Sequence, residues 1–289
     1  MPPVDFSLDK VDPAIIYAMF KGEPGTRKST QALSFPLPQY WFSWDRKMSG
    51  ILVPARKWGI DMTKVKGADY DNWTDARIKL EQLQINCDYN TLVFDSLTSC
   101  ADMTLRQTLS AKAGVTRSSQ KAAGKSVGGI SVNEMEDYNA ESAALQELIA
   151  LTKDIQSYQY SRGHIVNIIL IAHVVQAEYR TSPGAQQATH ISRTIITAGK
   201  KVAPKIPAYC SEVYHFNIKK GFEEGAGGDY SLLTEHTGDD FARTALELPR
   251  EIPFKDQPIY KNWILPAIEK MKADRVQTSA TVVKPNFGA

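Results

Sequence analysis

Residues 22–30, Gly-Glu-Pro-Gly-Thr-Arg-Lys-Ser-Thr, place glycines, a lysine and hydroxyl residues at the spacing of a phosphate-binding P-loop. The backbone N–H groups of such a loop point toward phosphate oxygens. Lys28 would reach the β- and γ-phosphates of a nucleotide, and the Ser29 hydroxyl would ligate Mg²⁺. The residues predicted to hold the nucleotide are Gly22, Glu23, Pro24, Gly25, Thr26, Arg27, Lys28, Ser29 and Thr30.

Arg27 departs from the Gly-x-x-x-x-Gly-Lys-Ser pattern, which has glycine at this position. If the φ angle is positive here, arginine costs about 1–2 kcal/mol relative to glycine. Alternatively, the guanidinium faces the phosphates and adds a charge-assisted contact. The sequence leaves both alternatives open. A Gly-Pro turn beside a helix cap is the alternative without any phosphate binding.

Two predicted strands end in carboxylates that suit the same chemistry. Residues 40–44 form an aromatic run before Asp45, and residues 90–94 form an apolar run before Asp95. In P-loop ATPases an acid at the end of a later strand orients the water shell of Mg²⁺, which is the role expected for Asp95. Lys28, Ser29 and Asp95 are therefore the phosphate-binding and metal-binding candidates.

The elements that must position these residues alternate between strands and helices. An apolar strand at residues 14–20 enters the loop, and a helix begins at Lys28. Further helices are predicted at 71–84 with Asp71 as N-cap, 97–109, 134–156 and 263–273, and further strands at 164–173, 211–220, 230–235 and 242–248. This alternation predicts an α/β fold with a mostly parallel central sheet, flanking helices and late antiparallel strands. Ligands in such folds bind at the carboxyl ends of the strands.

Two long segments between the predicted elements are rich in lysine and arginine. Residues 111–133 contain Lys112, Arg117, Lys121 and Lys125 without any acid, and residues 178–205 contain Arg193, Lys200 and Lys201 among other basic residues. Connections of this length inside a compact domain are usually functional or disordered. We expect both to belong to one domain at residues 13–273, between a polar leader at 1–12 and a flexible tail at 274–289.

Composition bounds the class of protein. With 289 residues, of which 43% are hydrophobic and 23% charged, the chain is expected to be soluble and to bury a full core. The net charge of +2 is too small to indicate nucleic-acid binding by the whole surface, so any such surface must be local. Cys87, Cys100 and Cys210 are far apart, which argues against disulfides or a zinc site and favours a reducing cytoplasm. Without a recognisable signal peptide or membrane-spanning stretch, we expect a cytoplasmic protein with no membrane partner.

The order of these motifs resembles the core of a RecA-type P-loop ATPase. More narrowly, it is similar to phage-encoded RecA-like ATPases that act with single-strand annealing and recombination systems. The likeness rests on residues 22–30, 92–96, 169–173 and 203–214 and covers about residues 13–270. It implies a RecA-like P-loop fold, ATP and Mg²⁺ as cofactors, and a homo-oligomeric ring or filament on single-stranded DNA. It also implies a single-strand annealing or single-strand-binding protein as partner, and the cytoplasm of an infected bacterium as location.

The resemblance assigns roles to individual residues. Asp45 lies where the family places a carboxylate that polarises the attacking water, although glutamate is usual there. His173 matches a polar sensor that couples the γ-phosphate to a DNA-binding loop, with a histidine satisfied at a strand end as the alternative. The two basic segments match the family's DNA-binding loops, with solvated insertions as the alternative. Lys219, Lys220 and Arg243 are candidates for a contact to the nucleotide of a neighbouring subunit.

Three functions fit the sequence. The first is a DNA-dependent ATPase that supports homologous pairing or annealing. The second is a non-hydrolysing, nucleotide-gated DNA-binding module, which Arg27 and Asp45 keep open. The third is a small-molecule P-loop kinase, which is disfavoured because no arginine-rich lid is recognisable.

Overall fold

The computed structural model describes residues 12–118, 126–127, 130–131, 137–179, 190–197, 202–219, 228–238 and 240–281. Its strands are β1 Tyr17–Gly22, β2 Gln39–Ser43, β3 Val65–Asp69, β4 Thr91–Asp95, β5 Ser126–Val127, β6 Ile130–Ser131, β7 Asn167–Tyr179, β8 His190–Ile195, β9 Glu212–Lys219, β10 Asp229–Leu233 and β11 Glu251–Pro253. Its α-helices are α1 Lys28–Ala32, α2 Leu52–Lys57, α3 Trp73–Ile85, α4 Leu97–Ser118, α5 Asp137–Ser161 and α6 Leu265–Thr281. Short 3₁₀ turns lie at Met48–Ile51, Met62–Lys64 and Ala203–Tyr209, and a π-helical turn at Tyr260–Ile264 leads into α6.

The central sheet has the strand order β11-β10-β9-β1-β7-β4-β2-β3. The strands from β9 to β3 in this order run parallel, whereas β10 and β11 are antiparallel to their neighbours. β8 adds an antiparallel pairing to β7, and β5 pairs with β6 outside the sheet. The expected α/β fold, with a mostly parallel central sheet, flanking helices and late antiparallel strands, is confirmed. Within the described ranges, no helix combines the length and apolar character that a bilayer crossing requires.

Helices cover both faces of the sheet, and this explains why the central strands are continuous apolar runs. Alternate residues of β1 enter different cores because side chains along a strand point to opposite faces. Met19 lies in the core that contains residues of α3, α4 and α5. Phe20 lies in the core that contains residues of α1, α2 and α6. The strand that enters the P-loop is therefore fixed from both sides.

The first half of the chain differs from expectation at two helix ends. Asn72, and not Asp71, is the N-cap of α3, because the Asn72 side chain accepts a hydrogen bond from the Asp75 N–H. Asp71 instead pairs with Arg46. Helix α4 continues to Ser118, so the first part of the basic segment 111–133 is helical. A single glycine inside a helix costs only about 1 kcal/mol, and α4 packs against α5, so the helix runs through Gly114.

The second half also differs from the predicted bounds. Part of the basic segment 178–205 is ordered structure, since β7 extends to Tyr179 and β8 pairs back onto it. Residues 242–248 form no strand and contribute only a bridge between Arg243 and Val213. The Thr244 hydroxyl and the Ala245 N–H are bonded to the Glu212 carboxylate, which withdraws them from strand pairing. The last strand is β11, and α6 extends past Asp274, where a flexible tail was expected.

Candidate nucleotide-binding site

The P-loop begins at Gly22, which is paired with Phe216 of β9. A Cβ atom on Gly22 would lie 2.4 Å from the Phe216 carbonyl oxygen, so this position requires glycine. Gly25 has a φ angle of 82°, which glycine adopts without strain. Thr26 is buried and donates a hydrogen bond to the Glu23 carbonyl over 2.8 Å. The loop is thus a closed, internally bonded turn between β1 and α1.

Lys28 is held inside this turn. Its ammonium donates to the Gly22 and Glu23 carbonyls over 2.8 Å each and lies 3.3 Å from the Thr26 hydroxyl. Burial lowers the pKa of Lys28 to about 8, and the nearby carboxylates of Asp95, Glu23 and Asp45 oppose that shift. A buried cation whose partners are mostly neutral carbonyls can exchange them for phosphate oxygens, which form stronger, charge-assisted bonds.

Ser29 and Asp95 meet beside Lys28. Asp95 ends β4, and its carboxylate lies close enough to the Ser29 hydroxyl for that hydroxyl to act on the pKa of Asp95. Burial raises the pKa of Asp95, and Asp45 adds to that rise, whereas Ser29, His173 and Lys28 oppose it. Among the described residues, no group of three or more histidine, cysteine or acidic side chains could hold a metal by itself. One hydroxyl and one carboxylate nevertheless fit Mg²⁺, which binds through few protein oxygens together with phosphates and water.

Asp45 and His173 face each other at the same edge of the sheet. The register places Ser43 beside Asp95, and the Trp44 N–H donates to the Asp95 carbonyl over 2.9 Å, so Asp45 follows immediately. On β7, His173 lies level with Gly22. The Nε2 atom of His173 lies 3.9 Å from the Asp45 carboxylate, whose side chain is only 11% exposed. The carboxyl ends of β1, β2 and β4, with His173 in the middle of β7, therefore bring the predicted phosphate, metal and water-polarising groups together.

Arg27 adopts the left-handed backbone conformation that glycine usually adopts at this position of a P-loop. Its φ and ψ angles are 65° and 24°, in the left-handed region. Its guanidinium lies 4.0 Å from the centre of the Tyr230 ring, donates to the Lys255 carbonyl over 2.8 Å and pairs with Asp256. Lys57 binds the other carboxylate oxygen of Asp256 over 2.7 Å. Of the two alternatives for Arg27, the positive φ angle is the one found, and the side chain is bound by the β10–β11 region.

Two buried glutamines, which the sequence reasoning missed, fix the short helix α1. The Gln31 amide donates to the Gln257 carbonyl and accepts from the Ile259 N–H, each over 2.9 Å. Gln39 donates to the Phe35 carbonyl over 2.8 Å and so holds the exit of α1. A helix of five residues is not stable alone, so the hydrogen bonds of these two amides help to stabilise α1. Gln31 follows Lys28 by one helical turn, which was the only sequence signal for its inward orientation.

The residues predicted to contact DNA or a neighbouring nucleotide are only partly described. Lys112 and Arg117 lie on α4 and Lys219 ends β9, with side chains outside the described part, and Lys121, Lys125, Lys200, Lys201 and Lys220 lie outside the described residues altogether. Arg193 lies on β8 and binds Asp240 over 2.6 Å. The Arg243 guanidinium donates to the Ala208 carbonyl over 3.3 Å and to the Cys210 carbonyl. Both described arginines therefore have partners within their own chain.

Comparison with known proteins identifies a family for most of the chain. The family model described as AAA domain matches residues 16–245. Among solved structures, the KaiC-like protein PH0186 from the hyperthermophilic archaeon Pyrococcus horikoshii OT3 is 13% identical with a TM-score of 0.44, and the match covers 84% of this chain and 86% of that one. No protein of curated function matches the chain.

Proposed function

The chain belongs to the AAA domain family, and from this premise we propose that it is a Mg²⁺-dependent ATPase that works on single-stranded DNA. Its P-loop domain is of the nucleotide-binding ATPase type. The observation that carries the proposal is the convergence of Lys28, Ser29, Asp95 and Asp45 at one edge of the sheet. The same groups are needed to bind a triphosphate, hold its cation and orient a water molecule.

Each of these residues has a distinct task. Lys28 exchanges its bonds with the loop carbonyls for bonds with the β- and γ-phosphates. Ser29 and Asp95 would hold Mg²⁺, which neutralises charge on the phosphates when it is bound. Asp45 accepts a hydrogen bond from the attacking water, and its shorter side chain than the usual glutamate predicts slow turnover. His173, next to Asp45, responds to the γ-phosphate through that carboxylate.

The DNA-related part of the proposal rests on the basic segments. The first overlaps the end of α4, the helix that begins two residues after Asp95, and the second begins at the end of β7, the strand that contains His173. Each segment is therefore joined to the edge of the sheet where the nucleotide would bind by a single helix or strand. We propose that they contact phosphates of single-stranded DNA in a ring or filament of subunits, and that the protein supports pairing or annealing with a single-strand annealing or single-strand-binding partner.

Two assays test the proposal together. ATP turnover is measured with and without single-stranded DNA, and DNA binding is measured with and without nucleotide. We expect slow hydrolysis that DNA accelerates, and Asp45→Asn is expected to remove turnover while leaving nucleotide binding. An exposed aspartate on α3, changed as Asp75→Asn, is the matched control and should keep turnover.

The pattern of results separates the alternatives. Nucleotide-dependent DNA binding without hydrolysis supports the non-hydrolysing module, which the left-handed Arg27 favours. Turnover that ignores DNA refutes the DNA-dependent part. No nucleotide binding at all refutes the entire proposal.

A further inference from the structure

A buried cluster of ionisable side chains lies beside the end of β1, next to the P-loop. It consists of Lys21, Arg193, His215 and Asp240, and we call it the Asp240 cluster. One carboxylate oxygen of Asp240 lies 2.6 Å from the Arg193 guanidinium, and the other lies 3.3 Å from Nδ1 of His215. Lys21, His215 and Asp240 are each less than 5% exposed, whereas the side chain of Arg193 is 35% exposed. Arg193 is thus the one member of the cluster with substantial access to solvent.

The members of the cluster come from separate parts of the fold. Lys21 immediately precedes Gly22 of the P-loop and is paired in register with His215 across β1 and β9. Arg193 lies on β8, within the second basic segment, and Asp240 lies between β10 and β11. The cluster therefore connects the strand that enters the P-loop to the hairpin formed by β7 and β8.

The charges in the cluster do not balance. Burial lowers the pKa of His215 to about 4, with Asp240 opposing that shift and Lys21 and Arg193 adding to it, so His215 is neutral at pH 7. Burial lowers the pKa of Lys21 to about 8, with Asp240 opposing and Arg193 adding to the shift, so Lys21 remains mostly charged. Asp240 is thus ion-paired with Arg193, and it also acts on Lys21 through its charge, without a direct ion pair between them. If Arg193 departs, Lys21 remains to balance the buried carboxylate.

We propose that the Arg193–Asp240 ion pair is an exchangeable latch, which opens when the phosphates of single-stranded DNA bind Arg193. This inference deepens the proposed function, on which it rests, by giving Arg193 two alternative partners. In the closed state Asp240 competes with DNA for the guanidinium. In the open state the charge of Asp240 is balanced by Lys21, which immediately precedes the P-loop. DNA bound at the β7–β8 hairpin and nucleotide bound at the P-loop would therefore both act on the Asp240 carboxylate.

The test compares DNA affinity in single and double variants. Asp240→Asn keeps the shape of the side chain but frees Arg193, so we expect about fivefold tighter binding of a fluorescent oligo-dT, as for release of a partly exposed ion pair. Arg193→Gln should weaken binding, and the double variant should lose the gain of Asp240→Asn. Asp154→Asn, on the exposed side of α5, adds the same unit of charge and should leave the affinity unchanged.

A second measurement uses stability itself as the readout, so a folded Asp240→Asn variant tests the inference even when it is less stable than the parent. A double-mutant cycle of Arg193→Gln and Asp240→Asn in thermal unfolding should reveal coupling without DNA and none at saturating oligo-dT. Absence of coupling without DNA, or its persistence with DNA, overturns the latch. Equal affinities of the parent and Asp240→Asn overturn the latch alone, whereas a parent protein that binds no oligo-dT overturns the DNA part of the proposed function as well.

Discussion

Substitution of Arg27 by glycine tests the energetics of the P-loop most directly. The left-handed conformation at φ 65° costs an arginine about 1–2 kcal/mol, and glycine removes that cost. The same change removes the contact with the Tyr230 ring, worth about 0.5–1 kcal/mol at an exposed site, and the partly exposed pair with Asp256, worth about 0–1 kcal/mol. Gain and loss nearly cancel, so we expect Arg27→Gly to change the free energy of unfolding by less than about 1 kcal/mol.

Arg46→Gly is the matched control. Arg46 also has a positive φ angle, 54°, but its only described ion pair is with Asp71, and both side chains are more than 60% exposed. The strain is relieved there without loss of an aromatic contact, so this change should stabilise the protein by about 0.5–1 kcal/mol. Tyr230→Ala is the converse variant, because it removes the ring and leaves the strain, and it should destabilise the protein more than Arg27→Gly does.

The assay is urea unfolding of the three variants and the parent, followed by titration with a fluorescent ATP analogue. Because the guanidinium is bound by the β10–β11 region, Arg27→Gly should bind nucleotide as tightly as the parent or more tightly. A loss of stability above about 2 kcal/mol would show that the contacts outweigh the strain. A tenfold loss of nucleotide affinity would show that the guanidinium turns to the phosphates, and either result refutes the reasoning.

Three further outcomes follow from the same site. Lys28→Ala should abolish nucleotide binding while the far-UV spectrum stays unchanged, and retained binding would refute the P-loop assignment; Lys261→Ala is the charge-matched control. Because phosphates raise the pKa of Lys28 from about 8, nucleotide binding at pH 8 should take up about half a proton, and affinity should fall as the pH rises further. Calorimetry in two buffers of different ionisation enthalpy measures this uptake, and an identical heat in both would contradict it. Replacement of the basic residues of the first segment by alanine should flatten the salt dependence of single-stranded DNA binding by up to about 3 units, and an unchanged slope would exclude that segment from the DNA site; the residues are Lys112, Arg117, Lys121 and Lys125.

The sequence predicted the parts of the site that are local along the chain. The P-loop, its preceding strand and Asp95 are contiguous runs whose pattern needs no knowledge of the rest of the fold. Asp45 follows the end of β2 as predicted, because parallel strands bring their carboxyl ends to one edge, whereas His173 lies within β7, which continues to Tyr179. What these residues do there is still a prediction.

The parts that escaped prediction depend on contacts between distant segments. The hydrogen-bonding partners of Arg27 lie 228 and 229 residues further along the chain, so no local pattern indicates them. Arg193 is an ordinary basic residue in the sequence, and only the fold places it against Asp240. The end of α4 was missed for another reason, since Gly114 resembles a stop signal that packing against α5 overrides.

The ties of the P-loop to residues 255–259 have a consequence for where this domain ends. Arg27 binds Lys255 and Asp256, and Gln31 binds the backbone at Gln257 and Ile259. The family model stops at residue 245, before any of these partners. A polypeptide that ended at residue 245 would retain every residue of the P-loop. It would nevertheless lack the hydrogen bonds from residues 255–259 that hold Arg27 and Gln31. The smallest fragment that folds into a nucleotide-competent unit should therefore reach beyond Ile259, into the turn that begins α6.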